Sequence, residues 1–498
     1  MQLTHQEISF SILMVFLAFL AVHFLAYGPL LQTHFAVDSY PSMYKPIAGT
    51  HFEHGRYIGG SIFFLLNAIG VNVVRSQFFF TLWAIGVYSA IDTILFLQIH
   101  KQLARAQVSS VTALFLGCSL FTVNVFNLEQ FLFPECLAVD PLGMLLGCVA
   151  AVLVCNYKNV KAWLGAFVLL VCAVSIYQVN VGHFLVITTV LLVLQYNFVL
   201  DKKSFANMVQ VIVFAGLSGV VSLIMQTSLS IKGSSTAVNF SVEGLLGNVI
   251  RVLRNQYGIW VKGCTLMPYM SIVVMVLVIW AVFIAGAKRQ KQLKRFVAVG
   301  VLASVLGVGV TFAPHILSSL PVVAQRTMTG VFFVIGMWTI FAAAANKSEK
   351  QIKLLAAAAA IFMLVSIVQI NRVTGQHMAA NQVDYEIGRT LLAEAQQQSQ
   401  KNGTAITQVA VCRDDKSTLA YPGIDYVFSD TNVKALNILG SGGSVITYVA
   451  EKEGYGQIIE VPMPQEIYET YFAGKNWDTV NAPEQVVVMD NTAYICMF

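Results

Sequence analysis

Residues 34–60, HFAVDSYPSMYKPIAGTHFEHGRYIGG, hold Asp38, Glu53, Arg56 and three of the chain's nine histidines, His34, His51 and His54. A carboxylate such as Asp38 can serve as a general base or stabilise charge. Ahead of Pro41 it can equally be a plain turn-forming aspartate. Arg56 offers a planar fork of donors that suits phosphate oxygens. His51, Glu53 and His54 are metal-ligand types, but H-x-E-H matches no zinc motif, so no metal is expected.

Three later stretches carry similar residues. NLEQFLFPECLAVDPLGML holds Glu135 and Asp140. Each has a bland reading, Glu135 as an interfacial anchor and Asp140 as an N-cap before Pro141. Each also has a functional one, as a site carboxylate. PVVAQRTMTGVFF places Arg326 ahead of an apolar run, either as an anchor snorkelling outward or as an oxyanion clamp. SIYQVNVGHFL sets Tyr177, Gln178 and Asn180 inside a long apolar stretch, as turn chemistry or as partners for a hydroxyl-rich ligand. Asp92 lies within an apolar run and reads as a buried polar contact between helices.

The elements that must position these groups are membrane helices. The chain has 498 residues, of which 57% are hydrophobic and 11% charged, with mean hydropathy +0.70. Soluble chains carry about 25% charged residues. Apolar runs near 8–27, 77–99, 108–126, 137–155, 162–180, 182–200, 205–228, 267–287, 296–313, 326–345 and 354–371 predict about eleven spans. The first run is long for a signal sequence and reads as a retained span. The basic connections HKQLAR, YKNVK, DKK, KRQKQLKR and NKSEKQIK alternate correctly for the cytoplasm. The loops 28–76, 127–136, 229–266 and 314–325 then face outward, with the N-terminus inside. RYIGGSIFFLLNAIG, near 57–71, is apolar but short, and reads as an interfacial or re-entrant helix. GLLGNVIRVLRNQYGIWVKG has Arg251 and Arg254 at helical spacing and reads as a helix along the outer surface.

From residue 372 the composition changes, so the chain divides into a membrane portion, 1–371, and a tail, 372–498. The tail holds 15 of the 25 carboxylates beside eight Lys or Arg. AEAQQQSQKNG reads as helix; QVAVC, SVITYVA and QVVVMD read as strands of a small α/β domain. The net charge of +5 therefore hides a basic membrane part and an acidic tail, and does not argue for nucleic acid. Most of the eight cysteines lie in apolar runs as small core residues. Cys412 and Cys496, in the tail, could pair.

Taken in order, an aspartate in the first outer loop, Gly55-Arg56, an acidic motif ending in Asp140-Pro141-Leu142, Tyr177-Gln178 and the late Arg326 resemble the serotype-converting O-antigen glucosyltransferases of the Gtr type II family. The resemblance covers nearly the whole chain. The family's paired acidic motif falls on Val37-Asp38-Ser39-Tyr40, where one aspartate remains. Its asparagine-rich motif falls on Glu135 through Leu142, where the asparagine and tyrosine are missing while Asp140 and the leucines stay. The resemblance implies a polytopic α-helical, GT-C-like enzyme of the bacterial plasma (inner) membrane. It would move a hexose, glucose, from a polyprenyl-phosphate donor to surface polysaccharide on the outer face. A donor synthase and a flippase would be companions.

On that reading Asp38 takes the proton of the acceptor hydroxyl, and Glu135 and Asp140 orient sugar hydroxyls. Arg56 and Arg326 meet the leaving phosphate. Tyr40, His54, Tyr177 and Gln178 bind sugar or acceptor. Competing readings are a polyprenyl-linked sugar flippase or transporter, another GT-C transferase with a different sugar, and a non-catalytic assembly partner.

Overall fold

The computed structural model describes residues 5–105, 111–229, 241–318, 324–413, 435–437, 441–475, 477 and 479–497. Residues 230–240 and 319–323, in two of the expected outer loops, lie outside them. The chain forms two compact units. The first comprises Met1–Leu31, Ile47–Phe131 and Cys136–Asn371; the second comprises Gln32–Pro46, Leu132–Glu135 and Arg372–Phe498.

In the first unit every one of the eleven apolar runs is helical. Among the described residues, six helices are long and apolar enough to cross a membrane: Ile12–Leu31, Gln77–Leu103, Lys202–Met225, Ser271–Arg289, Leu293–Leu317 and Glu349–Asn402. The other five expected spans are shorter: Val111–Thr122, Asp140–Asn156, Val160–Ile176, Asn180–Gln195 and Gly330–Ala344. These differ in kind as well as length. Gly330–Ala344 is buried along its whole length and Asn180–Gln195 nearly so, as expected of helices that are apolar all round. Several long helices instead expose Leu, Ile and Val side chains along one side, the surface a bilayer would cover. The segment read as interfacial is the helix Tyr57–Ala68. Its 12 residues reach about 18 Å, too short for a hydrocarbon core of about 30 Å.

Small residues bring the inner helices together. A Cβ on Gly336 would lie 2.6 Å from the Gly117 carbonyl oxygen, so Val111–Thr122 and Gly330–Ala344 approach through bare backbone. Asp92 is buried as expected: its Oδ2 accepts from Thr122 Oγ1 at 2.6 Å, and His23 Nε2 lies 2.9 Å from that hydroxyl. Three helices are thereby tied by two hydrogen bonds that meet at the Thr122 hydroxyl.

The second unit contains a four-stranded sheet. Its strands are β1 (Gln408–Arg413), β2 (Ile459–Glu460), β3 (Val486–Met489) and β4 (Thr492–Met497). They lie in the order β2-β1-β4-β3, with β1 parallel to β2 and β4 and β3 antiparallel to β4. SVITYVA is not a strand. It lies in the helix Gly442–Lys452, burying Val445, Ile446, Val449 and Ala450. That one-sided spacing packs against β1 and overrides the strand preference of its β-branched residues. Cys412 and Cys496 stand opposite each other in the β1–β4 register, and both are free thiols.

The first-loop segment Gln32–Pro46 is built into this unit. Asn381 meets the Phe35 backbone twice: its Oδ1 accepts from the Phe35 N–H at 2.7 Å, and its Nδ2 donates to the Phe35 carbonyl at 2.8 Å. Ser441 Oγ donates to the Val37 carbonyl at 2.8 Å. These bonds set the backbone on which Asp38 sits.

Candidate active site

The sequence-predicted residues divide between the two units. His54, Arg56, Asp140, Tyr177, Gln178 and Arg326 belong to the first; Asp38, Tyr40 and Glu135 belong to the second.

In the first unit, Gly55-Arg56 has a clear backbone reason. The helix Ile47–Glu53 ends at Gly55, whose φ of 68° lies in the left-handed region that glycine adopts freely. The Gly55 N–H donates to the Phe52 carbonyl and the Arg56 N–H to the His51 carbonyl, each at 2.9 Å. This pairing is the Schellman cap. It turns the chain so that Arg56 opens the next helix, Tyr57–Ala68. The Arg56 guanidinium carbon then lies 4.8 Å from the centre of the Tyr177 ring, within cation–π range. Tyr177 and Gln178 lie in the short turn between Val160–Ile176 and Asn180–Gln195, with Tyr177 buried and Gln178 half-buried.

Arg326, Arg56, Asp140 and Glu129 all act electrostatically on Tyr177. Asp140 is not the N-cap. Val139 holds that position, and Asp140 is the first helical residue, with no side-chain cap bond at this end. Its carboxylate is buried; the Arg56 and Arg326 guanidinium groups bear on its charge, while Oδ1 has no hydrogen-bond partner among the described residues. Arg56 Nε is likewise buried with no hydrogen-bond partner among the described residues. Buried polar atoms normally find partners, and these two have none among the described residues.

Arg326 sits in the turn Gln325–Thr327, and the sequence did not single out the residue that fixes it. Glu129 Oε2 accepts from the Arg326 backbone N–H at 2.7 Å, and Oε1 accepts from the guanidinium at 2.9 Å. Glu129 falls in the outer loop 127–136, and no local pattern joins it to a residue 197 positions away. His51 is buried and His54 half-buried beside Arg56. Burial first, then the Arg56 and His54 charges, push the His51 imidazole down to about 3. The same two main causes, burial and Arg56, lower His54. Among the described residues, no group of three or more His, Cys, Asp or Glu side chains is arranged to hold a metal ion.

In the second unit, Asp38 is exposed and precedes the helical turn Ser39–Ser42, making no side-chain cap bond to it. Ser39 Oγ accepts from the Ala36 N–H at 2.9 Å and donates to Glu135 Oε2 at 2.7 Å. The buried Glu135 is thereby tied to the residue following Asp38. Tyr40 is buried, its ring 4.9 Å from Phe35 and 5.8 Å from Tyr448.

The first unit is a bundle of apolar helices of membrane-protein type, and in it two guanidinium groups act on a buried tyrosine and a buried carboxylate. The chain belongs to the glucosyl transferase GtrII family, whose model matches residues 28–342. The matched region contains all nine predicted site residues and Glu129. No curated protein and no solved structure matches the chain. Family membership makes the protein a membrane glycosyltransferase, with a sugar donor and a polysaccharide acceptor, and sets aside the transporter and non-catalytic readings.

Proposed function

We propose that this glucosyltransferase moves glucose from a polyprenyl-phosphate donor to O-antigen or a related cell-surface polysaccharide at the outer face of the bacterial inner membrane. The GT-C-like membrane part would cross about eleven times, with the N-terminus cytoplasmic and residues 372–498 outside. The observation that supports the donor reading is that Arg56 and Arg326 both act on Tyr177 and Asp140, with Asp140 Oδ1 and Arg56 Nε lacking a hydrogen-bond partner among the described residues. A phosphate leaving group gains negative charge as its bond to the sugar breaks. Fixed guanidinium groups favour that charge most where water is scarce.

The chemistry is a single displacement. The acceptor oxygen bonds to the anomeric carbon as its proton passes to Asp38. The anomeric carbon–oxygen bond breaks, and its electron pair goes to the polyprenyl phosphate. Asp140 and Glu135 orient sugar hydroxyls, and Tyr40, His54, Tyr177 and Gln178 contact sugar or acceptor. The purified enzyme in lipid, given radiolabelled polyprenyl-phosphate glucose and polysaccharide, should label the polymer. A donor left intact, or label accepted equally from a nucleotide sugar, would overturn this reading.

A further inference from the structure

The helix Val242–Gln256 presents three faces. The inner one carries Asn248 and Val252, both buried. Asn248 Nδ2 donates to the Ile316 and Ser318 carbonyls at 3.0 and 2.8 Å, closing the C-terminal end of Leu293–Leu317. A second face, roughly a third of a turn away at 3.6 residues per turn, carries Val242, Leu246, Ile250 and Leu253, all exposed. A third carries exposed Arg251 and Arg254. The apolar stripe is therefore not the face that packs on protein.

What covers it follows from its surroundings. The supporting helix Leu293–Leu317 is long and apolar enough to span a membrane, and exposes Val301, Leu302, Val305 and Leu317. The next such helix, Ser271–Arg289, exposes Val274 and Leu277. In the connection from Val242–Gln256 to Ser271–Arg289, exposed Tyr257 and Tyr269 share a hydroxyl hydrogen bond of 3.2 Å, and Lys262 Nζ lies 5.6 Å over the Tyr257 ring. Tyrosine beside lysine at a helix end marks headgroup depth.

We propose that Val242–Gln256 lies in the headgroup layer of the bilayer, its stripe in the acyl boundary and Arg251 and Arg254 on the phosphates of anionic phospholipids. A lipid occupant makes the stripe continuous with the apolar sides of the neighbouring spans, and it matches the basic edge in charge. The inference stands whatever the sugar donor is.

The test is amide hydrogen exchange over residues 244–256 of the full chain in nanodiscs of phosphatidylcholine, with and without phosphatidylglycerol. The anionic lipid should slow exchange about fivefold per arginine, equivalent to about 1 kcal/mol each. Arg251→Gln with Arg254→Gln should erase the lipid difference. Leu246→Asp with Leu253→Asp should exchange freely in both lipids while Gly330–Ala344 stays protected, showing that the fold survives. Equal exchange of the wild type in both lipids would overturn the proposal. So would full protection of the aspartate variant, or protection confined to discs holding two copies, which would assign the face to a second chain.

Discussion

Glu129 holds Arg326 at two points, taking the backbone N–H on one carboxylate oxygen and the guanidinium on the other. The Glu129 side chain is 1% exposed and that of Arg326 27%. One contact fixes the turn and the other aims the side chain, so the carboxylate positions the cation. Breaking such a buried pair from one side costs about 3–5 kcal/mol, while removing both charges costs less. Arg326→Gln should therefore lower the melting temperature more than the double variant with Glu129→Gln. Thermal unfolding of both in detergent checks this; equal losses would mean that the pair is not coupled.

Asp38 tests the proposed acid–base chemistry. It is exposed and makes no side-chain cap bond to Ser39–Ser42. In Asp38→Asn, loss of a positioned base should lower transfer about 10²–10⁴-fold, or about 3–5 kcal/mol of barrier. Near-native turnover by the purified variant would remove Asp38 from the mechanism.

Asp140 should separate stability from transfer. Among the described residues its buried Oδ1 has no hydrogen-bond partner, an arrangement that costs stability and is kept where function needs it. Asp140→Asn should hold or raise the melting temperature while transfer falls by about 10–100-fold, the worth of a hydrogen bond to a charged group. A variant both less stable and fully active would assign Asp140 to packing.

Gly55 should be intolerant of a side chain. At φ 68°, Gly55→Ala places a Cβ in the left-handed region at a cost of about 1–2 kcal/mol. It also disturbs the cap that sets Arg56. Stability and transfer should fall together, and Gly55→Asn, which tolerates that region better, should recover part of both.

The His51–His54 pair gives a pH signature. Both imidazoles are lowered in the fold, His51 from 6.5 to about 3. The unfolded chain then binds more protons than the folded one between those values. The stabilisation is complete above about pH 6.5 and is lost as pH falls towards 3, at about 1.4 kcal/mol per unit for His51. Denaturant midpoints measured across that range should fall with acid, and His51→Asn should flatten the slope. An unchanged slope would place the acid sensitivity elsewhere.

Much of this architecture is local and can be read from residue order. Apolar runs become helices because a backbone taken out of water must satisfy its hydrogen bonds within the segment. Helical spacing alone marked Val242–Gln256 as amphipathic. QVAVC and QVVVMD became strands as their alternation predicts, whereas SVITYVA was decided by its packing on β1. Chain order also carried the family pattern through Asp38, Gly55-Arg56, Asp140 and Tyr177-Gln178.

What residue order left open is everything that depends on partners distant in the chain. Glu129 finds Arg326 across 197 positions, Tyr177 finds Arg56, and Asn381 takes up the backbone of Phe35, 346 positions away. The same is true of which carboxylates are buried, since Asp140 and Glu135 look alike in sequence to the exposed Asp38. Periodicity reports a single element's preference for an oily or a wet side. Charge pairing and desolvation depend on which elements meet, and only the packed chain brings them together.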